Sequence, residues 1–417
     1  MAKERNWAGN YTYGAAELLV PESVEEARDM VARSPRVKAL GSRHSFNGIA
    51  DTAGSLISIE KLNRLVSLDA ERRTVTVEGG IRYGDLARQL DAAGFALHNL
   101  ASLPHISVAG AVATATHGSG VRHGNLATAV RGLELIAADG ALQRLTREDA
   151  AFEGAVVGLG GLGVVARLTL DVVPAFEMSQ RVYEDLPAER LEAAFDEILS
   201  AAYSVSLFTD WTSSAINQVW IKHRVGDSET LDPAEPFHGA APAGGPRHPV
   251  PGHSGEVCSG QLGAVGPWHE RLPHFRMDFT PSAGEELQTE YFVPRERALE
   301  ALQALGRLRE RIAPLLFISE VRTIAADRLW MSPCHGRDSV GIHFTWKPLG
   351  EAVARLLPEL ESALRPFGAR PHWAKLFALP PAEVREQYER LPDFQRLLLR
   401  QDPERKFRNE LLERYVY

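Results

Sequence analysis

The chain has 417 residues, 44% of them hydrophobic and 24% charged, with a formal net charge of −8. At ~100–200 residues per domain this is two or three domains, with ample chain for a buried core. The acidic balance argues against nucleic acid or an anionic membrane as the main partner, since both reward clustered Lys and Arg.

No run of ~18 apolar residues offers a membrane span. The opening stretch MAKERNWAGNYTY lacks the apolar core of a secretory signal, so a cytoplasmic location is expected. Cys258 and Cys334 are far apart and lack metal-ligand spacing, which argues against a disulfide framework and a structural metal.

Residues 1–175 read as short strands alternating with helices and Gly-rich turns. Pro21 to Ala32 predicts a helix with an acidic first turn. Strands are expected at Val37–Leu40, Leu56–Ile59, Thr74–Val77, Leu133–Ala137 and Val164–Val173, the last ended by Pro174. Tyr83–Ala93 has helical apolar spacing and is closed by Gly94. This is an α+β region whose strands are too short for a large parallel sheet.

From residue 176 the texture changes. Strand-like runs recur at Val205–Thr209, Gln218–His223, Leu287–Val293, Leu316–Ile324 and Val340–Trp346, with a helix expected over Arg295–Arg311. Residues 226–256 are rich in Pro, Gly, Ala and His and read as a long surface excursion. The tail from about Pro380 to Tyr417 is helical and strongly charged.

GLGGLG at Gly158–Gly163 matches the G-x-G-x-x-G dinucleotide fingerprint in letters only. That fingerprint follows a strand and opens a helix. Here a helix-like stretch precedes and a β-branched strand follows, so the segment reads as a helix-to-strand turn. A backbone this bare can still approach a ligand closely.

Two segments suggest a cofactor site. Gly41-Ser42-Arg43-His44-Ser45-Phe46-Asn47 follows a strand, and such a turn exposes consecutive N–H groups able to bind an anion. Ala101–Gly120, ASLPHISVAGAVATATHGSG, has no acidic side chain and is dominated by small residues and hydroxyls. A tightly packed turn explains its Ala and Gly. Its two His and its hydroxyls, if buried, need partners that a polar cofactor would supply.

In the second half, residues two apart on a strand face the same way. Gln288 with Glu290, Glu320 with Arg322, and His343 with Thr345 are such pairs, and Lys375 lies among aromatic residues in PHWAKLF. If the strands are neighbours, their polar faces form one surface. That surface is either a solvated sheet side or a pocket for a polyol, whose hydroxyls each need a donor and an acceptor.

Gly41–Asn47, the run from Ala101 and GLGGLGVV resemble the FAD domain of the vanillyl-alcohol oxidase superfamily. Within it the chain is similar to the bacterial alditol oxidase (xylitol oxidase) family along nearly its whole length. The matching stretches include NWAGNYTY, SLFTDW (206–211), GPWHERLPHF (266–275), ARPHW (369–373) and DPERKF (402–407). The resemblance implies a two-domain α+β fold. Residues 1–175 with 380–417 would bind FAD, and residues 176–379 would form a mixed-sheet substrate cap.

The resemblance also implies covalent FAD, bonded from His44 Nδ1 to the 8α carbon, with Arg43 standing where relatives often have Gly. The cofactor contacts it implies are Leu40, Gly41, Ser42, Arg43, Ser45, Phe46, Ala101, Ser102, Ser107, Gly110, Thr114, Ala115, Thr116, His117, Gly163, Val164 and His372. Its substrate contacts correspond to Ser102, Gln288, Glu320, Arg322, Thr345 and Lys375, with His343 in the same pocket.

The implied reaction is oxidation of a terminal alditol hydroxyl, as in xylitol or sorbitol, to the aldose, with O2 reduced to H2O2. Hydride would pass from C1 to flavin N5. Arg322 and Lys375 would stabilise alkoxide charge, and Glu320 would orient a hydroxyl and hold Arg322. His343, Lys375 or a water would take the proton, and Ala101 would leave room for oxygen. The partners implied are the polyol and O2, and the resemblance suggests a monomer. A sugar-1,4-lactone oxidase is the rival reading, because it shares the flavin turn.

Overall fold

The computed structural model describes residues 4–227, 235–279 and 285–417. The first helix spans Val24–Arg33. The Ser23 hydroxyl accepts from the Glu26 N–H, and Glu25 and Glu26 fill the positive first turn. Val24, Ala27 and Val31 bury one face of it. Strands Glu17–Leu19 and Val37–Leu40 both pair in parallel with Ser55–Ser58. Parallel neighbours need a crossover, and this helix joins the two outer strands. The Val37–Leu40 strand ends at Gly41 and so delivers the His44 turn.

A second, five-stranded antiparallel sheet runs Leu65–Asp69, Thr74–Glu78, Val164–Asp171, Val130–Ile136, Leu142–Thr146. Its two edge strands escape the sequence reading because they are short and partly exposed. Helix Phe152–Val156 precedes GLGGLG and the strand Val164–Asp171 follows it, the reverse of a dinucleotide fingerprint.

The largest sheet is antiparallel throughout, with the central order Glu177–Leu186, Ile216–Arg224, Ser204–Thr209, Leu316–Ile324, Ser339–Trp346, Leu287–Pro294. Helix Ala188–Ser200 packs on Ser204–Thr209 and helix Ala298–Gly306 on Leu287–Pro294; helix Gly350–Leu364 packs on Ala298–Gly306. One register row crosses four strands as Glu290, His343, Glu320 and Phe208. Residues of the other parity, Tyr291, Val321, Ile342 and Phe344, are fully buried in the core. The polar pairs therefore share the opposite face, which is turned inward rather than to solvent.

The helix expected over Arg295–Arg311 is broken. A 3-10 turn at Arg295–Arg297 leads into Ala298–Gly306, and Arg309–Ile312 forms a separate turn beyond Gly306. Of the predicted 226–256 excursion, residues 228–234 lie outside the described residues. The remainder adds strand Ala241–Pro242 to Glu177–Leu186 and carries His248, Pro249, Val250 and His253 to a cavity wall, so it is not merely surface.

The tail folds as helices Pro381–Glu386, Leu391–Gln401 and Glu410–Tyr415 and returns to the first half. The Lys406 ammonium donates to the Val31, Ala32 and Ala138 carbonyls, and the Asn409 amide to those of Gly48, Ile49 and Asp51. Among the described residues no helix is long and apolar enough to cross a membrane.

Candidate active site

A cavity of about 610 Å³ lies between the small-residue segments of the first half and the polar face of the large sheet. That size is within the range of cofactor and ligand sites. At one wall the His44 turn is clamped from several sides. The Trp7 N–H donates to the Arg43 carbonyl, the Asn6 amide to the Ser45 carbonyl, and the Phe46 N–H to the Ala374 carbonyl. Arg43 adopts φ 63°, a strained left-handed conformation for a residue with a Cβ, and its guanidinium pairs with Glu4 at 2.6 Å. Gly41 is required by packing: a Cβ there would sit 2.5 Å from Ser107 Oγ.

His44 stacks on Trp7 with centroids 5.1 Å apart, and both its ring nitrogens are buried without a hydrogen-bond partner. Burial pulls its pKa down to about 4; the nearby Ser42 backbone offsets part of this without hydrogen-bonding geometry. The imidazole is therefore neutral near pH 7, with nitrogens that no group among the described residues satisfies.

The facing wall comes from Ala101, Ser102, Ile106, Ala109, Gly110, Thr114, Thr116 and His117. The floor is Gly158, Leu159, Gly160 and Gly163, under which the buried Lys38 ammonium donates to the Leu159 and Gly160 carbonyls. Three expected wall residues are displaced. Ser107 sits behind the wall, where its N–H donates to Ser42 Oγ at 3.0 Å and its Oγ accepts from the Ser42 N–H. Ala115, at φ 55°, and Val164 are buried but do not line the cavity. Spacing along a turn does not tell which residues point inward. Leu40, Gly41, Ser42, Arg43, Ser45, Phe46, Gly163 and His372 are at the wall.

At the sheet end, Ser102, Gln288, Glu320, Arg322, His343, Thr345 and Lys375 all line the cavity, together with Glu290. Glu290 is the hub. Its Oε1 lies 2.9 Å from Arg322 Nη2 and 3.1 Å from His117 Nε2, and its Oε2 lies 2.7 Å from Lys375 Nζ. Burial pushes its carboxyl up, but Lys375, His117 and Arg322 together hold it well below the usual carboxylate range.

Glu320 was expected to hold Arg322, and it shares that task, as a longer ion pair, with Glu290 and Ser102, which make the closer contacts. Arg322 Nε is 3.5 Å from Glu320 Oε2 and lacks a hydrogen bond, whereas Nη1 donates to Ser102 Oγ at 3.1 Å. Glu320 also accepts from His274 Nε2 at 2.6 Å. Strand parity marks the face on which Glu290 lies, but not which carboxylate on it makes the close ion pairs.

His343 Nε2 faces Gln288 Oε1 at 3.2 Å. Burial first, then the Lys375 charge, pull its pKa well below the ordinary value, so it is a neutral ring. Since Gln288 donates its own amide to Glu286, its Oε1 accepts from His343, and Nδ1 is left as the basic nitrogen. Lys375 has its pKa lowered by burial, against the opposing pull of Glu290.

The donor set fits a flavin dinucleotide at the small-residue end. The orphaned His44 nitrogens meet an acid-free wall of N–H and hydroxyl donors. Among the described residues, no group of three or more His, Cys, Asp or Glu is placed to hold a metal ion.

Comparison with known proteins agrees with this geometry. Residues 15–146 match the family model of an FAD binding domain, and residues 283–415 match that of D-arabinono-1,4-lactone oxidase. The chain is 50% identical to the alditol oxidase of a Streptomyces species over 410 residues, covering 98% of this chain and 97% of that one. It is 30% identical to L-gulonolactone oxidase of Bos taurus, covering 100% and 98%. The cholesterol oxidase of B. sterolicum superposes with a TM-score of 0.79 at 14% identity, covering 100% and 96%, a likeness of fold alone.

Proposed function

This chain belongs to the alditol oxidase family of FAD-binding oxidoreductases, and from that premise we propose that it oxidises the terminal hydroxyl of acyclic polyols such as xylitol or sorbitol to the aldehyde, with O2 reduced to H2O2. The observation that carries this reading is one cavity with an orphaned, neutral His44 at one end and the Glu290–Arg322–Lys375 cluster at the other. We assign residues 1–175 with 380–417 to the cofactor-binding domain and 176–379 to the cap.

His44 would carry FAD covalently, through Nδ1 to the 8α carbon. Leu40–Phe46, Ala101, Ser102, Gly110, Thr114, Thr116, His117, Gly163 and His372 would hold it. When bound, FAD supplies the acceptor for the hydride of the carbinol carbon, which carries the two electrons.

The remaining chemistry belongs to the protein. Arg322 and Lys375 are cations aimed into a buried cavity, and they stabilise negative charge as the hydroxyl loses its proton. Glu290 and Glu320 balance them, so the pocket accepts a neutral polyol rather than a substrate anion. Ser102, Thr345 and Gln288 supply further hydrogen bonds along a hydroxylated chain. His343, neutral and oriented by Gln288, can accept a hydrogen bond from the substrate hydroxyl, while its pKa, held well below the ordinary value, makes it a weak base.

The match to the lactone oxidase model over 283–415 favours a second reading, oxidation of a sugar 1,4-lactone. Oxygen uptake with peroxide detection on xylitol, sorbitol, mannitol, glycerol and a sugar-1,4-lactone decides. Polyol turnover with little lactone turnover is expected, and a preference for the lactone sinks the assignment.

A further inference from the structure

Beside Glu320 lies a chain of polar groups that the reaction as described does not use, with His274 at the cavity wall and Lys222 beyond it. Lys222, on strand Ile216–Arg224, is 1% exposed, and His274 is 4% exposed. Lys222 Nζ donates to the carbonyls of Leu272 and Pro273, and it lies 3.2 Å from His274 Nδ1. An ammonium has three N–H donors and no acceptor. Two carbonyls and one ring nitrogen match it in number, and Nδ1 must then be the acceptor. The only ring proton of a neutral His274 is left on Nε2, 2.6 Å from Glu320 Oε1.

The ring cannot turn away. Phe208 and Trp220 meet it edge-on at 5.5 and 5.2 Å, and its backbone N–H is tied to the Ser102 carbonyl.

We propose that Lys222 and His274 are positioning residues that fix Glu320 as an ionised acceptor, with Oε1 occupied and Oε2 left to take a substrate hydroxyl. This rests on the polyol reading. Reversing the chain would require a neutral Lys222, an Nδ1–H and a protonated Glu320 whose single O–H is spent on His274 Nε2. Burial brings the Lys222 pKa down to about 7 and the His274 pKa down to about 4, so at pH 6 the amine is charged and the ring neutral.

The test is histidine-selective 15N NMR of the full-length holoenzyme at pH 6, with the His274 resonance identified by its loss in His274→Gln. A neutral ring protonated at Nε2 is expected; protonation at Nδ1 overturns the proposal. Steady-state kinetics on xylitol provide the second measurement. His274→Gln keeps an N–H donor to Glu320 and should hold KM within about threefold of the parent. Lys222→Met and His274→Phe should raise KM on the order of tenfold with a smaller change in kcat. Equal KM for the Gln and Phe variants overturns the proposal. If the parent turns over no polyol, the functional reading fails, and the tautomer result still stands by itself.

Discussion

The carboxylate of Glu290 lies 2.7 Å from the ammonium of Lys375, and the pair is buried beside Arg322. Two buried cations share this anion, and Arg322 has a second, longer ion pair with Glu320. Glu290→Gln should leave Lys375 uncompensated and Arg322 with only its longer Glu320 contact, costing ~3–5 kcal/mol of stability and lowering kcat/KM by roughly 10²-fold or more. Urea denaturation and steady-state kinetics measure the two losses. A variant of parental stability would show that the pair contributes nothing net.

Arg322 divides its guanidinium between Glu290 and the Ser102 hydroxyl. Lysine can replace the charge but not the fork. Arg322→Lys is expected to reduce kcat/KM by about 10²-fold, whereas Ser102→Ala, which removes one neutral hydrogen bond, should cost about tenfold. Equal losses in the two variants would show that the charge geometry is not what matters.

Strand parity made half of this site readable. Glu320 with Arg322 and His343 with Thr345 follow from alternation alone, and the register sets Glu290, His343 and Glu320 in one row. Parity shows which face a residue takes, not how deep it sits or which partner it meets. Glu290 therefore looked no different from Gln288. His274 was beyond reach for another reason: it lies in an irregular stretch, 46 residues from Glu320 and 52 from Lys222 along the chain. The His44 turn was recognisable from its letters, but its clamp by Asn6, Trp7 and the Ala374 carbonyl depends on distant backbone.

His44 leads to a prediction about cofactor attachment. Acid-precipitated parent protein should be a yellow pellet, and His44→Ala should release all colour to the supernatant. Because burial holds the ring's pKa near 4, its free nitrogen is available across pH 5–8. Attachment of FAD to apoprotein should proceed at an even rate over that range and slow as pH approaches 4, where the ring takes a proton. A rate that climbs steeply between pH 6 and 7 would contradict a neutral, buried His44.

His123 allows the acid response of the fold to be worked out with its sign. Its Nε2 is buried without a hydrogen-bond partner, its ring lies 4.1 Å from that of Tyr203, and burial lowers its pKa to about 4. The unfolded ring, with an ordinary pKa near 6.5, takes up a proton as pH falls through that value. The folded ring does so only near 4, so between the two the unfolded state binds more protons and stability declines. From pH 6.5 to 5 this group alone should remove about 2 kcal/mol. His123→Gln cannot titrate, so its urea midpoint should fall less steeply over the same interval. Identical slopes for parent and variant would mean that His123 is protonated in the folded protein.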